Sequence, residues 1–131
     1  MRNIFKLDIR EDFDAVIREQ DKRILQVARV GALQASKLLD DDEKVTHAVA
    51  CKVDGTAGVL ILTDRRVLAV WGALLSGGSE SLPVSKVTQV DAGLSGLKTW
   101  VKIKGSGAEI RVTGVGVPAN ALVGELRRRV E

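Results

Sequence analysis

"GVLILTDRRVLAVWG" occupies residues 58–72, and its reading decides the fold. Two apolar runs, 59–62 and 67–71, flank the polar residues Thr63, Asp64, Arg65 and Arg66. Short apolar runs bounded by turn residues read as buried strands. Thr63 and Asp64 can hydrogen-bond their own backbone, which a tight turn requires. Arg65 and Arg66 open the returning strand, where consecutive side chains point to opposite faces. They cannot both aim at one ligand, so the stretch reads as a β-hairpin and not as an anion site. One arginine is expected to face solvent. The other is expected to meet a carboxylate such as Asp64, or helix carbonyls.

Outward from the hairpin the period stays at two. Val45, His47, Val49, Cys51 and Val53 alternate with Thr46, Ala48, Ala50 and Lys52, and Asp54-Gly55 marks a turn. Further strands are expected at 59–63, 65–71, 80–84, 87–92, 97–104 and 109–113, with Gly77-Gly78-Ser79 as a loop and Gly105-Ser106-Gly107 as a turn. Residues 118–130 read as a closing helix with Pro118 in its first turn and Ala119, Leu122, Val123, Leu126 and Val130 on one face. Residues 11–39 read as a long helix, with an apolar stripe through Phe13, Val16, Ile17, Ile24, Leu25, Val27, Ala28, Val30, Leu33, Leu38 and Leu39. At about 40 Å it is longer than a small sheet needs as a cover. Either it breaks near Asp21 or Gly31, or its stripe docks on another subunit; Gln20 and Gln34 interrupt a coiled-coil seam. The acidic run Asp40, Asp41, Asp42 and Glu43 opposes a helix C-terminus and reads as a solvated linker.

In order and detail these segments resemble the bacterial pleckstrin-homology (PH) domains, the YokE-like group in particular. The residues that carry the resemblance are "GVLILTDRRVLAV" (58–70), "SLPVSKVTQV" (81–90), "LKTWVKIKGSGAEIRV" (97–112) and "PANALVGELRRRV" (118–130). The resemblance covers residues 43–131, leaving 1–42 as an N-terminal helical extension. It implies an α+β, mainly β fold: a PH-like barrel of about seven antiparallel strands in two near-orthogonal sheets, capped by the C-terminal helix. It also implies a binding module. The eukaryotic phosphoinositide binders carry several cations around the first strand pair, whereas "CKVDGTAGVL" here offers Lys52 alone beside Asp54. A multiply charged headgroup needs more than that.

Composition removes several other functions. The 131 residues fit one domain, 45% apolar and 28% charged. The single histidine, His47, and single cysteine, Cys51, would stand about 13 Å apart along one strand, too far for a nucleophile–base pair. They also leave no zinc site, and Cys51 reads as a small core residue. "GSGAEI" and "GVGVP" lack the remaining residues of a phosphate-binding loop. No enzyme, metal or cofactor is expected. Aromatics are scarce at 3%, which disfavours base stacking, so no nucleic acid is expected. No apolar run approaches a membrane span. The charged "MRNIFKLDIREDF" start has no signal-peptide core, so a cytoplasmic protein is expected, with peripheral contact to the inner face of the membrane in the second reading below.

Net charge is +3, and residues 51–131 carry the excess. Two surfaces follow as candidates. The stripe through Phe13, Val16, Ile17, Ile24, Val27 and Ala28 suits an oligomer interface, which makes a homo-oligomer acting through protein–protein contact the first reading. Lys98, Trp100, Lys102 and Lys104 share one strand face, with Arg111 on the next strand, and suit an anionic lipid surface. That peripheral binder is the second reading.

Overall fold

A computed structural model of the chain describes residues 9–73 and 76–130. Most of the charged N-terminal stretch, residues 1–8, lies outside the described residues. The alternating segments form seven antiparallel strands: β1 (Val45–Val53), β2 (Thr56–Thr63), β3 (Arg66–Ala73), β4 (Ser76–Pro83), β5 (Val87–Gly93), β6 (Trp100–Gly105) and β7 (Ala108–Thr113). The hairpin that opened the sequence is present, with Leu62 opposite Val67 and Gly58 opposite Trp71.

Two expectations about architecture are corrected. The strands form a single open sheet in the order β4-β3-β2-β1-β7-β6-β5, not two sheets. Its halves meet at one registered pair, Lys52 with Thr113. Val49, Leu60, Leu62 and Val67 from one half and Val101, Ile103, Ile110 and Val112 from the other are buried in one core. The sheet therefore curves around that core. The C-terminal helix closes it with Leu122, Val123 and Leu126.

The long N-terminal helix is also corrected. The chain forms three short helices, α1 (Glu11–Gln20), α2 (Arg23–Val27) and α3 (Arg29–Leu38), before the C-terminal α4 (Ala119–Val130). The breaks fall at Asp21 (φ −154°, ψ 89°) and Ala28 (φ −133°, ψ 27°). The cause of the first is tertiary. Upstream of Lys52, no strand among the described residues pairs with the second edge of β1, and side chains from α1 and its C-terminal end take that place. Asp12 accepts from the Val45 amide (3.0 Å), Gln20 donates to the Thr46 carbonyl (2.9 Å) and accepts from the Ala48 amide (3.2 Å), and Asp21 accepts from the Ala50 amide (2.9 Å). A strand's buried polar groups need such partners. Gln20, which spoils an apolar seam, is thus a ladder residue made of side chain.

The helices cover the outer face of β1–β3 and make a second core. Phe13, Ile17, Ile24, Ala28, Ala32 and Ala35 pack on Ala48, Ala50, Val59, Ile61, Leu68 and Val70. These strands are buried on both faces, which explains their unbroken apolar runs. At Gly31 an added Cβ would lie 2.9 Å from the Val70 carbonyl oxygen, so α3 needs glycine to come this close. The residues expected to form an oligomer seam are mostly occupied within the chain. Phe13, Ile17, Ile24 and Ala28 are buried and Val16 is half-buried, while Val27 is exposed.

Gly77-Gly78-Ser79, expected as a loop, lies inside β4. The reason is Trp71, whose ring crosses this strand: a Cβ at Gly78 would sit 2.7 Å from the indole.

Candidate binding face

The polar knot at 63–66 is a structural node. Arg66 Nε donates to Glu43 at 2.9 Å and a terminal nitrogen donates to its other oxygen at 3.0 Å. The Thr63 hydroxyl donates to the same carboxylate at 2.6 Å. Burial opposes ionisation of Glu43 most strongly, yet the bonds from Arg66 and Thr63 outweigh it and hold the carboxyl below its usual range. Arg65, in the turn before β3, pairs with Asp42 (2.6 Å) and Asp40 (3.5 Å). Both arginines thus meet the acidic run rather than Asp64, and Arg66 also donates to the Leu38 carbonyl at the end of α3 at 2.7 Å, as the helix-carbonyl alternative expected. The acidic run is therefore their counter-charge rather than a free linker, and Glu43 is buried. Arg10 adds a bond to the Glu43 carbonyl and pairs with Asp12 at 2.6 Å, which pulls the Asp12 carboxyl down to about 2.

His47 and Cys51 lie four residues apart on β1. Desolvation lowers the His47 pKa, and its Nδ1 lies 3.0 Å from the Thr46 hydroxyl. Burial pushes the Cys51 thiol up to about 12, which leaves it without the thiolate a nucleophile needs. Among the described residues, no group of three His, Cys, Asp or Glu side chains is placed to hold a metal.

The outer face of β5–β7 differs from that of β1–β3, because among the described residues no helix packs across it. Alternation along β6 buries Val101 and Ile103 and turns Trp100, Lys102 and Lys104 outward. Register sets their neighbours: Trp100 lies between Gly93 and Thr113, Lys102 between Asp91 and Arg111, and Lys104 between Gln89 and Glu109. Gly93 is required here, since a Cβ would strike the indole of Trp100. At the Trp100 end Leu97, Lys98, Thr99, Trp100, Lys102, Arg111, Thr113 and Gly114 line a concave groove of about 700 Å³.

Of the residues singled out in sequence, the groove gathers Lys98, Trp100, Lys102 and Arg111. Lys98 precedes the strand, which begins at Trp100 rather than at 97. Lys104 lies outside the groove, paired in register with Glu109 near the far turn. Glu109 also stands 3.7 Å from Lys102 and 3.5 Å from Arg111, so it partly neutralises both. Sequence reasoning missed Leu97, Thr99, Thr113 and Gly114. The strand expected at 97–104 begins only at Trp100, and Leu97 is fully exposed in the loop before it. No helix among the described residues is long and apolar enough to cross a membrane.

No protein-family model matches the chain, and no curated protein matches it in sequence. Solved structures do match in fold. A pleckstrin homology domain from Shewanella amazonensis SB2B superposes with a TM-score of 0.54 at 14% identity, over 79% of this chain and 97% of that one. A DUF1696 family protein with a pleckstrin-homology domain, from Shewanella loihica PV-4, gives 0.51 at 11% identity, over 86% and 97%. The C-terminal domain of an unknown protein from Leishmania infantum gives 0.51 at 13% identity, over 82% and 99%. At such identities likeness speaks for the fold alone. Seven antiparallel strands curved around one core, closed by a C-terminal helix and matched by two bacterial PH-domain structures, make this a PH-like fold.

Proposed function

We propose that this chain is a non-enzymatic binding module, akin to the YokE-like group, that meets an anionic membrane surface through Lys98, Trp100, Lys102 and Arg111. The observation that carries the reading is the groove. Three cations and an indole surround one opening, on the sheet face that no helix among the described residues covers. An indole suits the headgroup layer and the cations suit its phosphates. The competing reading, a homo-oligomer built on the N-terminal stripe, loses its main support because Phe13, Ile17, Ile24 and Ala28 are covered by the chain's own sheet.

The test is co-sedimentation with phosphatidylcholine vesicles, with and without phosphatidylglycerol, at low salt. The wild type should pellet only when the anionic lipid is present, and the Lys98→Glu/Lys102→Glu variant should stay in the supernatant. A wild type that never pellets, or a charge-reversed variant that pellets equally, would remove the proposal.

A further inference from the structure

The groove opens beside two loops. β6 and β7 pair Trp100 with Thr113, so the loop before Trp100 and the loop after Thr113 leave the sheet at the same end. The two are tied together: the Gly114 amide donates to the Thr99 carbonyl at 3.0 Å and the Thr99 hydroxyl donates to the Val115 carbonyl at 2.7 Å. Each loop holds an aliphatic side chain in water. Leu97 is fully exposed and Val117 is 80% exposed. A single exposed Leu means little. Leu97 lies beside the half-exposed Trp100 at the groove, and Val117 follows two residues after the tie at Val115.

The electrostatics at this end are modest. Lys102 and Arg111 share Glu109, and Asp91 stands opposite Lys102 in register. Lys98 makes no ion pair among the described residues. Neither does Lys52, which is paired in register with Thr113. A cation near an anionic leaflet raises partitioning by only about fivefold. Two free cations therefore give weak adsorption, and apolar contact must add to it for stable docking.

We infer that Leu97 and Val117 form a paired wedge that enters the apolar boundary of an anionic bilayer, with Trp100 at headgroup depth and Lys52 and Lys98 against the phosphates. This rests on the membrane reading above and adds how the surface is gripped. A surface held mainly by charge would release in salt, because exposed charges are screened. Apolar insertion is not screened, so the wedge predicts binding that survives salt.

The experiment compares wild type, Leu97→Ser/Val117→Ser and Lys98→Glu/Lys102→Glu on phosphatidylcholine/phosphatidylglycerol vesicles at low and high salt. Circular dichroism checks that the variants, all at surface positions, remain folded. The serine variant should partition more weakly by on the order of tenfold or more, the scale of two lost aliphatic burials. The wild type should lose less than that between the two salt conditions. Brominated acyl chains should quench Trp100, a signal that Trp100→Phe removes. A serine variant that partitions like wild type, with binding abolished by salt, would overturn the wedge and leave the charged face standing. A wild type that does not pellet at low salt would overturn both.

Discussion

Arg66 grips the buried carboxylate of Glu43 with two nitrogens, at 2.9 and 3.0 Å, while Thr63 donates to the same group. The pair ties the β2–β3 hairpin to the segment that leads out of α3. Removing one partner of a buried ion pair strands the other, at a cost of about 3 kcal/mol or more. Arg66→Leu should therefore lower stability in urea by about 3 kcal/mol at neutral pH. A loss near zero would mean that Thr63 and the Asp40 amide suffice for Glu43.

The same pair sets a pH dependence. The folded pKa of Glu43 lies below the ordinary value of 4.5. Its contribution is thus fully present above that value and is lost as pH falls through the lower, folded one. Glu43→Gln should be less stable than wild type at neutral pH, and the gap should narrow as pH drops below 4.5. Urea midpoints at a series of pH values measure this. A gap that stays constant or widens on acidification contradicts the assignment.

Asp21 closes the edge of β1 through the Ala50 amide. Asp21→Ala leaves that buried donor unpaired, which costs about 1–3 kcal/mol. Hydrogen exchange by NMR should show the Ala50 amide opening faster, while the amides of the β2–β3 hairpin keep their relative protection. Unchanged exchange at Ala50 would argue that the side chain is not its partner.

Phe13 is buried between α1 and the sheet of its own chain. Phe13→Ala should cost about 3–5 kcal/mol, by lost burial and the cavity left behind. The unfolding midpoint should not move with protein concentration. A midpoint that climbs with concentration would place Phe13 between subunits after all.

Gly93→Ala tests how the indole of Trp100 is seated. The new methyl group must displace the ring, so the emission of Trp100 should shift and vesicle affinity should fall, with little change in the rest of the fold. An unaltered spectrum would show that the ring does not depend on this glycine.

Local signals carried most of the sheet. Alternation found β1, and turn residues found the hairpins around 54, 64 and 106. Pattern alone could not see contacts between distant segments. Helix length alone pointed to a break near Asp21 or Gly31, and the break at Asp21 is present, but only the open edge of β1 explains why the helix stops there. Glu43 looks like one more acid in a solvated run, and only Arg66 explains its burial. Leu97 lies in the segment expected as a strand at 97–104 but falls before β6 begins, and so stands exposed in a loop. The face of Trp100, Lys102 and Lys104 was legible because it depends on alternation within one strand, whereas Lys98 lies before that strand begins. The two-loop end depends on the Thr99–Gly114 tie and was not legible.

The side-chain ladder along β1 also bears on where this fold can be cut. The resemblance to PH domains invites a shortened chain starting at residue 43. Such a fragment would keep every strand but lose Asp12, Gln20 and Asp21, baring the amides of Val45, Ala48 and Ala50. It would also uncover the apolar face of Val59, Ile61, Leu68 and Val70. Open strand edges beside apolar surface recruit other chains. The fragment should precipitate or stack edge to edge rather than behave as a smaller domain.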